Sequence, residues 1–187
     1  MQAVRGGDLA KLGSLFERHH RAVFDFLVRM TGNRAVAEDL VQDVFERTLK
    51  YRATWRDDFK FAPWLFRIAR NARADYFRRR EVTAVYSDEM DAADPAIGPE
   101  RQVEDDSEAA RLQRALLALR DDKRELIVLA RYRDMKYEAI AELLGVDVGT
   151  IKVRVHRALK ELRDIFLTQE SRLPCDVKTF PIGSRTI

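Results

Sequence analysis

An acidic stretch of thirty residues divides this chain into two parts. Residues 81–110 carry ten Asp or Glu against a single Arg, and they contain few large apolar side chains. Such a segment cannot bury enough apolar surface to offset the loss of chain entropy, so it is typical of a flexible linker. Residues 1–80 carry a net charge of +7 and residues 111–187 a net charge of +5. Two basic bodies on an acidic connector indicate a polyanion that is contacted at two separate places.

Both basic parts show the spacing of amphipathic helices. From Asp8 to Met30 the apolar residues recur every three or four positions, and similar stripes follow along both parts of the chain. No stretch alternates apolar and polar residues with period two, so strands are not expected. The sequence therefore predicts an all-α fold of two small helical domains. The expected organisation is a first domain at 1–80, the acidic linker at 81–110, a second domain of four helices at 111–167 and a loose tail at 168–187.

Residues with special backbone preferences predict where several helices begin and end. Gly32 can close the first helix and Asn33 can cap the second, while Pro63 suits a first helical position. Asp122, with Glu125 three residues later, has the spacing of a capping box and predicts another helix start.

The segment from Tyr137 to Arg163 has a helix–glycine–helix pattern, YEAIAELLGVDVGTIKVRVHRALKELR. Gly145 permits a sharp turn, and Asp147 can cap the second helix. Two interpretations fit: a helical hairpin with a solvated basic face, or a helix-turn-helix whose second helix enters the major groove of duplex DNA. We favour DNA because the turn is tight and cations outnumber acids. Val153 then either touches a thymine methyl group or is a surface valine. The candidate DNA-facing residues are Thr150, Lys152, Val153, Arg154, His156 and Arg157.

A second cationic segment, FAPWLFRIARNARADYFRRR, lies far upstream, from Phe61 to Arg80. Six arginines stand here against one acid, Asp75, and aromatic residues precede the predicted helix or begin it. Each aromatic taken alone is better explained by core packing. Taken together with the arginines, they favour capture of unstacked bases, because every base has a face that can stack on an aromatic ring.

Three motifs in this order, AEDLVQDVFERTL, FAPWLFRIARNARADYFRRR and YEAIAELLGVDVGTIKVRVHRALKELR, resemble bacterial sigma-70-family initiation factors of the extracytoplasmic-function (ECF) type. The resemblance runs from about Leu12 to Arg163. It implies two helical domains, sigma-2 and sigma-4, spread over core RNA polymerase. The implied function is to direct polymerase to specific promoters, where the upstream segment recognises and melts the −10 element and the downstream helix reads the −35 element as duplex.

The resemblance also implies roles for single residues. The loop from Trp55 to Phe61, with Asn71, would hold a flipped base, and the arginines would grip the strand or the adjoining duplex. Asp39, Gln42, Asp43 and Glu46 form an acidic stripe that would dock on the β′ clamp helices rather than being a merely solvated face. The β flap of polymerase and an anti-sigma factor are further implied partners. The full −10 set is Trp55, Phe59, Lys60, Phe61, Trp64, Arg67, Arg70, Asn71, Arg73 and Arg78. The acidic linker would either mimic nucleic acid in the RNA-exit region or serve as a solubilising tether.

Several other classes of protein are not expected. The apolar runs are too short to cross a bilayer and the N-terminus lacks a signal-peptide core, so we expect a cytoplasmic protein without membrane insertion. Cys175 is the one cysteine, and the three histidines have no metal-ligand spacing, so no disulfide, metal or cofactor is expected. Asp57 and Asp58 suit a hydrated turn better than a catalytic metal pair, so we expect no enzyme.

The main alternative function is a one-component helix-turn-helix regulator that binds duplex DNA without polymerase. It differs from a sigma factor in one measurable property, since a sigma factor should bind duplex poorly until polymerase joins it.

Overall fold

Helices supply every regular element in the residues that the computed structural model describes, which are 1–8, 10–56, 60–86 and 107–170. The all-α prediction is therefore confirmed for these ranges. The helices are α1 (Gln2–Arg5), α2 (Ala10–Thr31), α3 (Arg34–Lys50), α4 (Phe61–Tyr86), α5 (Glu108–Ala118), α6 (Asp121–Ile127), α7 (Tyr137–Leu144) and α8 (Val148–Glu170), with a 3-10 turn at Arg52–Thr54 and a π-helical turn at Val128–Tyr132 that continues α6.

The turn between α2 and α3 follows its sequence signals. Gly32 has φ +71°, in the left-handed region that glycine adopts most readily. Asn33 then caps α3, because its Oδ1 accepts the backbone N–H of Val36 at 3.0 Å. Thr31 ends α2 by donating its hydroxyl to the carbonyl of Leu27 at 2.8 Å. The predictions for Gly32 and Asn33 are confirmed.

Helices α1–α4, here called the N-terminal unit, pack around an apolar centre. Val23, Phe26 and Leu27 on α2 are almost fully buried, and the rings of Phe26 and Phe66 meet edge to face at 5.4 Å. Pro63 lies in the first turn of α4 but not at its first position, because α4 begins at Phe61. Proline is tolerated there because first-turn N–H groups have no intrahelical partner.

Helices α5–α8, here called the C-terminal unit, are tied together by Arg124. Its guanidinium donates to the carbonyls of Leu116, Leu117 and Leu119 at 2.7–2.9 Å, which closes the turn between α5 and α6. Burial lowers the pKa of Arg124 from its ordinary value.

The prediction that Asp122 caps α6 is wrong. The N-cap residue is Arg120, in extended conformation with ψ 147° and without a side-chain cap, and the helix begins at Asp121. Both aspartates then lie in the first turn, where their charge favours the positive end of the helix dipole. Glu125 does not reach back to the cap; it is buried against α4, 8% exposed.

The two units are packed against each other, a contact that the division of the sequence did not anticipate. Leu126, Leu129 and Ile140 belong to the same apolar cluster as Phe26 and Leu27. Around this cluster, polar contacts join the units: Arg124 Nη1 donates to the Met30 carbonyl at 2.7 Å, Arg133 lies 3.6 Å from Asp25, and Arg29 lies 4.1 Å from the ring centre of Tyr132.

Helix α4 continues to Tyr86, so the first six residues of the expected linker are helical. Helix α8 likewise continues to Glu170, past the expected end at 167. The central part of the linker and the tail with Cys175 lie outside the described residues. Among the residues that are described, no helix is long and apolar enough to cross a membrane.

Candidate nucleic-acid interface

The solvent side of α4 carries the cations of the upstream motif. Ile68 and Ala72 lie on the buried stripe of this helix, so the helical period places Arg67, Arg70 and Asn71 on the other side, where all three are exposed. Lysine and arginine side chains on such a face are suited to contact a nucleic-acid backbone.

A pocket of about 420 Å³ opens at the N-terminal end of this face. Trp64, Arg67 and Asn71 line it, so the structure brings three of the predicted −10 residues together. An aromatic ring, a guanidinium and an amide in one pocket can stack on a flat heterocycle and hydrogen-bond to its edge. The complete lining consists of Tyr51, Thr54, Arg56, Pro63, Trp64, Arg67, Ile68, Asn71 and Glu142.

Trp55 does not line this pocket. Its side chain is only 7% exposed, and it lies beneath α1. Arg5 donates to the carbonyl of Trp55 at 3.2 Å and lies 5.9 Å from the ring centre, while Val4 of the same short helix is fully buried. In this conformation the indole supports the loop from inside and is not available to stack on a base.

The other predicted −10 residues that precede or begin α4 differ from one another in burial. Phe61 is half-buried, with its ring 5.8 Å from that of Trp64 and 5.1 Å from that of His19. Burial, helped by the nearby Arg18, lowers the pKa of His19, which favours the neutral form of this ring. Lys60 is exposed, and Phe59 lies outside the described residues.

Arg73 and Arg78 are engaged by carboxylates. Arg78 donates to Asp75 at 2.7 Å, and the same carboxylate accepts from Arg47 at 2.6 Å. The hydrogen bond from Arg47 holds the pKa of Asp75 below its ordinary value. Arg73 donates to Asp121 of α6 at 2.7 Å, so one of the predicted DNA contacts is an ion pair between the two units.

The acidic stripe of α3 lies on the surface of the N-terminal unit. Asp39, Gln42 and Glu46 are exposed, and Gln42 donates to Glu46 at 3.1 Å. Asp43 is half-buried because it accepts from Arg47 at 2.8 Å. The stripe runs between a pocket of about 390 Å³ against α4 and an apolar groove of about 400 Å³ against α2.

The helix-turn-helix predicted near the C-terminus is formed by α7 and α8. Gly145 ends α7 with φ +67°, and the backbone N–H of Val146 donates to the carbonyl of Ala141 at 3.0 Å. Asp147 caps α8, because its Oδ2 accepts the N–H of Thr150 at 3.1 Å. These two local predictions are confirmed.

Helix α8 presents its basic face to solvent. Ile151 and Val155 are buried beneath it, and Thr150 at the start of the helix is half-buried. The other five candidate residues are exposed, and they are Lys152, Val153, Arg154, His156 and Arg157. The structure therefore brings the predicted −35 set together on one accessible surface.

Three acidic residues of the C-terminal unit lie beside the candidate interface on α4, and the sequence analysis did not find them. Asp121, Glu125 and Glu142 lie against the arginines of α4 or in the pocket beside them. They come from positions 48 or more residues away along the chain. The only local sign of a cationic neighbour in the sequence is the pair of adjacent acidic residues, Asp121 and Asp122, in the first turn of α6.

Over its described residues the chain is helical, with a helix-turn-helix and a second, aromatic-lined basic face, and this combination defines a DNA-binding protein of the transcription machinery. Comparison with family models supports this class, since residues 15–83 match Sigma-70 region 2 and residues 109–162 match Sigma-70 region 4. The chain belongs to the ECF family of RNA polymerase sigma factors.

Full-length relatives agree with this assignment. The RNA polymerase sigma factor CarQ of Myxococcus xanthus is 34% identical over 88% of this chain and 94% of its own length. The ECF RNA polymerase sigma factor SigL of Mycobacterium tuberculosis is 32% identical over 87% of this chain and 93% of its own length. Among solved structures, the sigma factor RpoE of Bartonella quintana, in complex with the anti-sigma factor NepR, matches with a TM-score of 0.68 and 28% identity, covering 83% of this chain and 96% of that one.

Proposed function

We propose that this protein binds core RNA polymerase, directs it to specific promoters and nucleates strand opening at the −10 element, without catalytic activity of its own. The observation that carries this proposal is the presence of two basic surfaces of different kinds. The surface on α4 has a pocket with an aromatic wall, and the candidate residues on the exposed face of α8 include no Phe, Tyr or Trp. The α4 surface is suited to bind an unstacked base, and the α8 surface is suited to bind the major groove of intact duplex DNA.

The α4 pocket is the proposed site for a flipped base of the non-template strand. Trp64 supplies a stacking surface, and the Asn71 amide can donate and accept at a base edge. Arg67, which lines the same pocket, and Arg70 further along the helix would neutralise phosphates on either side of the base. We assign Lys60, Phe61, Arg73 and Arg78 to the same strand or the adjoining duplex.

Helix α8 is proposed to enter the major groove of the −35 element. Its first turn follows the Asp147 cap, so Thr150 and the residues after it can approach base edges. Arg154 and Arg157 are exposed and can pair with phosphates or with guanine, while Val153, 49% exposed, can touch a thymine methyl group.

The acidic stripe of α3 is proposed to dock on the β′ clamp helices, and the C-terminal unit on the β flap. An anti-sigma factor is a further proposed partner, supported by the solved complex of the related RpoE with NepR. As a subunit that works with polymerase, the protein would act in the cytoplasm, and phosphodiester chemistry would belong to the polymerase.

Promoter-directed transcription tests the proposal. Core polymerase from the same organism, combined with the purified protein, is expected to give discrete promoter-specific transcripts that core alone does not give. Within that assay, Arg157→Ala should weaken promoter binding and reduce the slope of log affinity against log salt by about one, as expected for loss of one phosphate contact.

The alternative regulator makes the opposite prediction in a simpler measurement. If the free protein shifts duplex promoter DNA as strongly as it does with core polymerase, the protein is a one-component regulator. A shift that needs core polymerase supports the sigma factor.

Alanine substitutions of the two tryptophans should separate stability from strand capture. Trp55→Ala removes a buried ring and is expected to cost about 3 kcal/mol or more of unfolding free energy. Trp64→Ala removes the pocket wall and should destabilise less, but it should lower open-complex formation about tenfold, the effect of one lost base–aromatic stack. Thermal melts and permanganate footprinting measure the two effects. Loss of strand opening in a Trp55→Ala protein of undiminished stability would instead give that ring a direct role.

A further inference from the structure

The base pocket beside α4 is lined by two segments of the N-terminal unit. Trp64 and Asn71 belong to α4, whereas Tyr51 and Arg56 follow the end of α3, and Glu142 of α7 also lines the pocket. Each of the two segments contributes one large aromatic ring, Trp64 from α4 and Tyr51 from the residue after α3. Tyr51 has no role in the −10 set predicted from the sequence.

The ring of Tyr51 is not part of the core. Tyr51 is 42% exposed and belongs to neither apolar cluster. Among the described residues, the other large aromatic side chain that is exposed is Phe16, and its ring packs against Phe45 at 4.9 Å. A single exposed aromatic residue is ordinary on a protein surface. The position of Tyr51 in the lining of a pocket is what indicates a binding role.

Hydrogen bonds fix the backbone that carries this ring. The N–H of Tyr51 donates to the Arg47 carbonyl at 2.8 Å, and its carbonyl accepts the N–H of Thr54 at 2.9 Å and the Thr54 hydroxyl at 2.8 Å. Trp55, the next residue, is buried beneath α1 and contacts Arg5 of that helix. A pocket wall that is already ordered loses little conformational entropy when a ligand binds.

Both rings have a surface that a ligand can reach. Trp64 contacts the ring of Phe61 at 5.8 Å and makes no ring contact with Tyr51. The pocket that Trp64 and Tyr51 both line has a volume of about 420 Å³, within the range of small-molecule sites. A flat heterocycle that enters this pocket can therefore stack on a ring from α4 and on a ring from the segment after α3.

We propose that Tyr51 is a second stacking residue of the base pocket, so that the flipped base is held between the rings of Tyr51 and Trp64. The inference rests on the proposed role of the α4 pocket in base capture and adds a base-contacting residue on its other side. Stacking on two rings stabilises an unstacked base whatever its sequence, because every base has a face that can stack, and Asn71 then reads its edge.

Lys50 supports this assignment. Its side chain is exposed, and its ammonium group lies 5.5 Å from the centre of the Tyr51 ring. A base that stacks on Tyr51 brings its own phosphate near this cation, and such a combination of aromatic ring and positive charge is typical of sites for single-stranded nucleic acid.

The dependence of the Tyr51 contribution on the base is the measurement that tests the proposal. The probe is a fork from a promoter that the transcription assay identifies, with duplex −35 DNA and a single-stranded non-template −10 strand. Each −10 nucleotide in turn is made abasic, and the affinity of the holoenzyme for each fork is measured by fluorescence anisotropy. The position at which the wild-type protein loses most affinity marks the captured base.

Tyr51→Ala should bind the intact fork about fivefold to tenfold more weakly than the wild type, the lower part of the range for one base–aromatic stack. On the fork that is abasic at the captured position, the two proteins should agree within about twofold, because the partner of the lost interaction is absent. Tyr51→Phe keeps the ring and should match the wild type on both forks. Tyr51→Leu keeps apolar area without a π face and should resemble Tyr51→Ala. Because Tyr51 is exposed, all three variants should melt close to the wild type.

Three outcomes would overturn the proposal. An equal loss on the intact and the abasic fork would mean that Tyr51 acts on the strand backbone or on folding and not on the base. A Tyr51→Ala protein that binds the intact fork as tightly as the wild type would remove any role for the ring. A loss in Tyr51→Phe as large as that in Tyr51→Ala would assign the effect to the hydroxyl group instead of stacking.

Trp64→Ala, measured on the same forks, separates this inference from the proposed function. A base-dependent loss for Trp64→Ala without one for Tyr51→Ala would leave base capture by the pocket intact and reject the second ring alone. If no abasic position weakens binding of the wild-type protein and Trp64→Ala has no effect, the pocket captures no base, and the proposed role of α4 fails together with this inference.

Discussion

Asp39→Arg is expected to weaken binding of the protein to core RNA polymerase by about tenfold or more, equivalent to about 1.4 kcal/mol. Asp39 is exposed on α3 and lies at the edge of the pocket between α3 and α4. A clamp surface that is complementary to the acidic stripe would then face a cation, and like charges across an interface are strongly unfavourable. Affinity measured by fluorescence anisotropy of the labelled protein with core enzyme tests this.

The choice of position matters for this experiment. Asp43→Arg should also weaken binding, but it removes an acceptor of Arg47, which in turn holds Asp75, so part of its effect would be structural. Glu38→Arg is the matched control, because Glu38 is the neighbouring acid of α3, is exposed and, within the described part of the chain, pairs with Arg34 of the same helix at 3.2 Å. Equal affinities of the Asp39 and Glu38 variants would contradict docking through the stripe.

Arg124→Met should lower the free energy of unfolding by about 3 kcal/mol or more, the range for breaking a buried charged network. The substitution keeps an unbranched side chain but removes the guanidinium from four carbonyls, those of Met30, Leu116, Leu117 and Leu119. The Leu116 carbonyl keeps the backbone N–H of Leu119 as a donor. For a chain of this size, such a loss lowers the thermal midpoint by roughly 6–12 °C.

Thermal unfolding followed by circular dichroism measures this effect. Arg131→Met is the control, since Arg131 is exposed and lies about two helical turns further along the chain. A midpoint for Arg124→Met that matches this control would mean that water replaces the guanidinium at no cost, and Arg124 would then have no structural role.

The sequence predicted the helices from α2 onward and several of their ends because the signals for them are local. The φ of Gly32, the caps formed by Asn33 and Asp147 and the turn at Gly145 all depend on residues within three or four positions. The prediction that Asp122 caps α6 failed because the local sequence contains two adjacent aspartates, and a helix could begin near either of them. In the structure the residue before both, Arg120, is the extended N-cap residue, so the helix begins at Asp121.

The residues of the candidate sites also fall into those that local sequence could place and those that it could not. The exposed faces of α8 and α3 follow from helical period alone, so Arg154, Arg157 and Asp39 are where the sequence placed them. Trp55 could not be placed by this reasoning, because its burial depends on α1. Arg5 of that helix, which contacts Trp55, lies fifty positions earlier in the chain.

What the sequence determined by itself is therefore the helices from α2 onward, their apolar stripes and the charge of each exposed face, because all three are properties of residues one or two turns apart. Only the tertiary structure decided that the two basic units share an apolar cluster and that Arg73 meets Asp121 and not solvent. An amphipathic helix specifies that its apolar stripe must be covered, but not by which other helix. That choice depends on the shapes and charges of surfaces far apart in the chain.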